Sequence, residues 1–154
     1  MKEMTEEQAL AKAAALCSSA ERCTGQIKDK LSAWGMSEEA SQRIIASLRR
    51  ERYIDDARYC SAFASDKLRY NHWGRIKIRQ ALRMQGLDED DAEQALDLLD
   101  EQEYLDTLRE VLKRKAKSLH EADPYVLHQK LLRHAYAHGF EPDLIIRCAQ
   151  EWED

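Results

Sequence analysis

Residues 53–86 read YIDDARYCSAFASDKLRYNHWGRIKIRQALRMQG. The stretch opens on two adjacent acids, Asp55 and Asp56, runs basic from Lys67 to Arg83 and stops at Gly86. An acid placed just before a helix accepts from the free N–H groups of the first turn and meets the positive end of the helix dipole. Ile54 and Tyr59 stand where a hydrophobic staple would put them. Asp55 and Asp56 therefore read as helix caps, ahead of a metal or acid–base pair. Gly86 closes the stretch as a residue that turns left-handed at no steric cost.

The segments on either side look like weaker copies. Gly35 and Gly86 are 51 residues apart, and the same offset carries Ile27 to Ile78, Leu31 to Leu82, Ser37 to Asp88, Ile45 to Leu96 and Leu48 to Leu99. It also carries Tyr53-Ile54-Asp55 to Tyr104-Leu105-Asp106, which makes Asp106 a cap. Thr5, Asp56 and Thr107 align as three further cap positions. Thr5 and Gln8 form a capping-box pattern ahead of Ala9, Ala13, Leu16, Cys17 and Ala20. A short helix from Thr24 to Trp34 ends at Gly35, and Ser37 caps the next, which ends near Arg52. In a looser third copy, Asp123-Pro124 starts a helix with Leu127, Leu131, Ala135 and Tyr136 on its buried face. Gly139 then plays the part of Gly35 and Gly86, and Glu141-Pro142 starts a last helix with Leu144, Ile145, Cys148 and Trp152. The pattern predicts an all-α protein. Three tandem three-helix repeats, at residues 1–55, 56–106 and 107–154, are expected to stack into an elongated rod.

Composition agrees with that class. Of 154 residues, 44% are hydrophobic and 34% charged, enough apolar material to offset chain entropy, while only 5 Gly and 2 Pro argue against a turn-rich β fold. No apolar run reaches membrane-spanning length, and the opening residues MKEMTEEQAL carry no signal-peptide pattern, so a cytoplasmic protein with no membrane partner is expected. The cysteines Cys17, Cys23, Cys60 and Cys148 form no C-x-x-C pair and read as free thiols.

The net charge of −5 hides a segregation of sign. Six basic residues face one acid between Asp66 and Arg83. Ten acids without a Lys or Arg follow from Asp88 to Asp106, and five basic residues face one acid from Arg109 to Lys117. Tyr70 and Trp73 interleave with the first basic block, and Arg75, Arg79 and Arg83 form one helical row. Arg69, Trp73, Arg75, Lys77, Arg79 and Arg83 are the candidate partner-binding residues; packing of Trp73 between helices is the plainer alternative. The acidic block has two open roles: steering the rod toward a basic partner, or answering the basic blocks within the rod. His134 and His138 are four apart but have no third ligand, and an exposed pair is expected. With no phosphate loop, nucleophile elbow or Cys–His signature, no enzyme, metal or cofactor is expected.

The order Tyr53-Ile54-Asp55-Asp56-Ala57-Arg58-Tyr59, Phe63, Arg69, Gly74-Arg75-Ile76, Leu82 and Gly86-Leu87 resembles the RecX family of bacterial RecA regulators. Arg22, Leu31 and Gly35 extend the likeness into the first repeat. The resemblance implies an elongated, curved rod that binds in the groove of the RecA filament on DNA and inhibits RecA's ATPase, strand-exchange and co-protease activities; a monomer is expected. The segment HEADPYVLHQ leaves only Lys130 and Arg133 as basic residues near the third repeat's second helix. That and the low pI point to filament protein as the main contact, with weak or no binding to bare DNA. The competing reading is a stand-alone nucleic-acid-binding helical repeat.

Overall fold

The computed structural model describes residues 3–152, so the outer limits drawn for the first and third repeats lie outside the described residues. Among these residues the chain forms nine helices and no strand: α1 (Glu6–Ser19), α2 (Thr24–Ala33), α3 (Glu38–Arg50), α4 (Asp56–Asn71), α5 (Arg75–Met84), α6 (Glu89–Asp97), α7 (Glu101–Ser118), α8 (Pro124–Ala137) and α9 (Pro142–Gln150). They make three tandem three-helix repeats.

Local chemistry sets most helix ends. Thr5 accepts from the Gln8 N–H at 3.1 Å while Gln8 accepts from the Thr5 N–H at 2.9 Å, a complete capping box. Ser37 and Asp55 accept from the N–H groups of Ala40 and Arg58. The middle helix of every repeat closes identically. Gly35, Gly86 and Gly139 have φ of 87°, 81° and 95°. The next N–H reaches back five residues, Met36 to Leu31, Leu87 to Leu82 and Phe140 to Ala135.

The repeat register fails at one junction. After α3, Arg52 takes a left-handed φ of 62°, and residues 51–55 are needed to reach α4. After α6 only residues 98–100 intervene, and α7 begins at Glu101. Its cap is Asp100, which accepts from the Glu103 N–H at 2.8 Å. Asp106 is therefore not a cap: it lies inside α7, where it accepts from Arg109 and Gln102. Thr107 is also internal, and the boundary drawn at 106/107 cuts α7. Asp56 does not cap its own helix either. Its carboxylate takes the Thr24 N–H and hydroxyl at 2.8 and 2.9 Å, closing the start of α2 across the joint between the first two repeats.

Two cores result. Ala9, Ala13, Ile27, Leu31, Ile44, Ile45, Leu48 and Ile54 close a core within the first repeat. The second and third repeats share one, built on Leu68, Ile78, Leu82, Leu96, Tyr104, Leu108, Leu112, Phe140 and Cys148, to which Cys23 alone is added from the first. At about 1.5–3 kcal/mol for each fully buried large apolar side chain, these interiors carry the stability. Two expected core residues stay outside them: Tyr136 on α8 and Trp152 beyond the end of α9 are exposed. The accessible surface is 9777 Å², against about 8000 Å² for a compact monomer of this mass, which is the mark of an elongated molecule.

Candidate partner-binding interface

The basic stretch folds around a tight reversal. His72 ends α4 in a left-handed conformation, φ 56°, with its N–H on the Leu68 carbonyl, and Gly74 caps α5. The reversal brings Lys67 and Lys77 to the same indole: their ammonium groups lie 4.8 and 4.7 Å from the Trp73 ring centre. Lys67 also reaches over Phe63. Trp73 is half-buried and packs against the shared core, as the plainer alternative has it, while its ring face holds the two ammonium groups.

The arginines do not converge on a free patch. Arg69 pairs with Glu103 at 3.2 Å and Arg79 with Glu93 at 2.5 Å. Arg75 is only 17% exposed and pairs with Glu101 at 2.7 Å and Glu141 at 2.8 Å. Its guanidinium sits 3.9 Å from the Tyr104 ring centre, its N–H donates to the Tyr104 hydroxyl, and that hydroxyl donates to Glu141. Burial, then the hydrogen bond to Glu141, pushes the Tyr104 phenol far above its usual range, and the Arg79 guanidinium holds Glu93 below the usual carboxylate range. Lys67, Lys77 and the exposed Arg83 have no carboxylate within 4.0 Å among the described residues. Beside them Tyr70 is 72% exposed.

Apart from Glu141, the partners of these arginines come from the acidic block. Glu93, Glu101 and Glu103 answer Arg79, Arg75 and Arg69, while Asp88 and Asp100 are spent as caps of α6 and α7. With Asp106 answering Arg109 of the next basic block, the internal role accounts for six of its ten acids. Asp90 and Asp97 remain exposed and outside any ion pair among the described residues.

Sequence reasoning missed a second contact here. The α8–α9 corner seats on the start of α5: the Gly74 N–H donates to the His138 carbonyl at 2.8 Å and the Ile76 N–H to the Gly139 carbonyl at 2.9 Å. The open N–H groups of one helix thus satisfy the open carbonyls of another. A Cβ on Gly74 would lie 2.4 Å from the Gly139 oxygen, and one on Gly139 would lie 2.4 Å from the Lys77 Cβ. Gly139 is needed for close approach as well as for its φ. The Gly74-Arg75-Ile76 triplet was the available signal, but its counterpart 65 residues on was not. His134 and His138 are half-buried, where an exposed pair was expected. Their rings are 4.6 Å apart, and His138 Nδ1–H donates to the His72 carbonyl.

Two family models match the chain. The second three-helix domain of RecX covers residues 55–96, and the third three-helix domain of RecX covers residues 101–148. The chain belongs to the RecX family. The second match starts at Glu101, the first residue of α7, in step with the observed helix start. Among relatives, the chain is similar to a protein named regulatory protein RecX from Clostridium botulinum (strain Alaska E43 / Type E3). Identity is 30% over 128 residues, covering 82% of this chain and 59% of the relative. A protein of the same name from Clostridium perfringens (strain 13 / Type A) is 32% identical over 120 residues, covering 77% and 56%. The chain thus spans a little over half the length of these curated relatives. The fold matches the crystal structure of RecX from Lactobacillus salivarius with a TM-score of 0.89 at 21% identity, over 96% of both chains.

Proposed function

We propose that this RecX-family chain binds the RecA filament on DNA and lowers RecA's ATPase, strand-exchange and co-protease activities. Membership of the RecX family carries the reading. The elongated three-repeat shape supports it, because it spreads contacts along a surface instead of gathering them in a pocket. Among the described residues no helix is long and apolar enough to cross a membrane.

The contact set we propose differs from the one expected from sequence. Arg69, Arg75 and Arg79 serve the fold first, and a partner would have to displace their carboxylates. Lys77, Trp73 and Arg83, joined by Lys67 and Tyr70, form the accessible part of the interface. Two ammonium groups on a half-buried indole suit an acidic or phosphate surface flanked by apolar material.

The test is RecA's DNA-dependent ATPase on single-stranded DNA, titrated with the chain. Activity is expected to fall as the chain approaches the RecA concentration. Gel shifts on bare single- and double-stranded DNA are expected to show little complex in the same range. Unchanged ATPase would overturn the reading, and tight binding to bare DNA without RecA would favour the stand-alone nucleic-acid binder.

A further inference from the structure

One cleft lies apart from the interface described above. It runs between the C-terminal half of α7 and helix α8, has a volume of about 290 Å³, and is lined by Lys115, Leu119, Lys130, Arg133, His134 and Ala137. No acid lines it. Lys115 and Arg133 have no carboxylate within 4.0 Å among the described residues, while Lys130 is held at 3.1 Å by Glu121 at the rim. The arginines beside Lys115 on α7 are taken, Arg109 by Asp106 and Glu151 and Arg114 by Glu110. From the sequence only Lys130 and Arg133 counted as basic in this region. Packing α7 on α8 adds Lys115, and His134 of α8 lines the same cleft.

Positive groups set around an apolar floor hold an anion more strongly than they would in open water. We propose that this cleft binds phosphate groups, with Lys115, Arg133 and Lys130 as donors and His134 as a further donor once protonated. Burial, His138 and Lys115 all push the His134 pKa below its ordinary value. The groups facing it are Lys115 from α7, Lys130 and Arg133 from its own helix and His138 just past the end of that helix, with Glu121 at the rim. His138 leans on the His72 carbonyl from the end of α4. A bound phosphate supplies the missing opposite charge, so binding draws a proton onto His134. The proposal goes beyond the RecA reading, and its test uses no RecA.

The probe is sodium tripolyphosphate, titrated calorimetrically into the intact chain in low-salt buffer at about pH 7.5 and about pH 6, which brackets the usual histidine value of about 6.5. Saturable one-site binding is expected, tighter at the lower pH. Lys115→Gln with Arg133→Gln should weaken it roughly tenfold or more while helicity and melting hold, since each removes a charge-assisted hydrogen bond. His134→Gln should erase the gain at low pH. Amide chemical shifts should move at Lys115, Arg133 and His134. Displacement of tripolyphosphate by a labelled thymidine oligonucleotide assigns the cleft to a phosphodiester chain. Failure of that competition, with tripolyphosphate still bound, assigns it to a free polyphosphate or nucleotide. The proposal is overturned by absent or unsaturable binding, by equal binding in the folded double variant, or by shifts centred elsewhere.

Discussion

Replacing Arg75 by methionine keeps an unbranched apolar stem and deletes the guanidinium at the seam of the second and third repeats. Three contributions go with it. The Glu141 pair joins side chains only 17% and 26% exposed, and a hydrogen bond to a charged group in such a setting is worth about 1.5–3 kcal/mol. The stack over Tyr104 adds about 0.5–1 kcal/mol. Glu101 is 61% exposed, so solvent screens its pair to about 0–1 kcal/mol. These share one guanidinium and do not add fully, so the expected loss is about 2–4 kcal/mol. For a chain of this size that lowers the melting temperature by about 5–15 °C. Urea unfolding should show the midpoint falling with an unchanged slope. A double-mutant cycle with Glu141→Gln should return a coupling of about 1–3 kcal/mol. A loss below about 0.5 kcal/mol, the range of ordinary surface changes, would refute the seam assignment. So would a coupling near zero. For the same reason, charge reversal at Arg75 is no clean test of partner binding.

Other consequences are open to measurement. Lys67→Gln, Lys77→Gln and Arg83→Gln together should relieve RecA inhibition at a stability cost of only about 1–2 kcal/mol, the worth of the two ammonium contacts with Trp73, because none has a carboxylate partner among the described residues; inhibition at full strength in the folded variant would move the interface elsewhere. Gly86→Ala, with nothing within 4 Å of its Cβ, should cost only the left-handed strain of about 1–2 kcal/mol. Gly139→Ala meets Lys77 as well and should cost about 1–3 kcal/mol more, so equal losses in urea would contradict the α5–α8 contact. His134 has a folded pKa below its unfolded one, so its contribution is present above about pH 6.5 and is lost as pH falls toward the folded value. In anion-free buffer the melting temperature should therefore drop on acidification through that window, and more in the parent than in His134→Gln. Small-angle scattering should give a radius of gyration clearly above the roughly 15 Å of a compact domain this long.

What the chain determines by itself is whatever a few neighbouring residues decide. The capping box at Thr5 and Gln8, the caps at Ser37, Asp55 and Asp123, and the left-handed glycines 35, 86 and 139 involve partners at most five residues away. All were legible, and the 51-residue offset then disclosed the repeat. The same offset misled at Asp106 and Thr107. The α6–α7 connection is shorter than the α3–α4 one, and a linker length leaves no periodic trace. Tertiary structure alone decided the charges. Arg79 meets a carboxylate 14 residues away and Arg75 one 66 residues away, so blocks of sign that look like an exposed field neutralise each other once the helices pack. The approach of Gly74 to Gly139 and the cleft at Lys115 and His134 arise in the same way. Helix periodicity says which face is apolar, but which charged faces meet depends on the crossing of helices far apart in the chain.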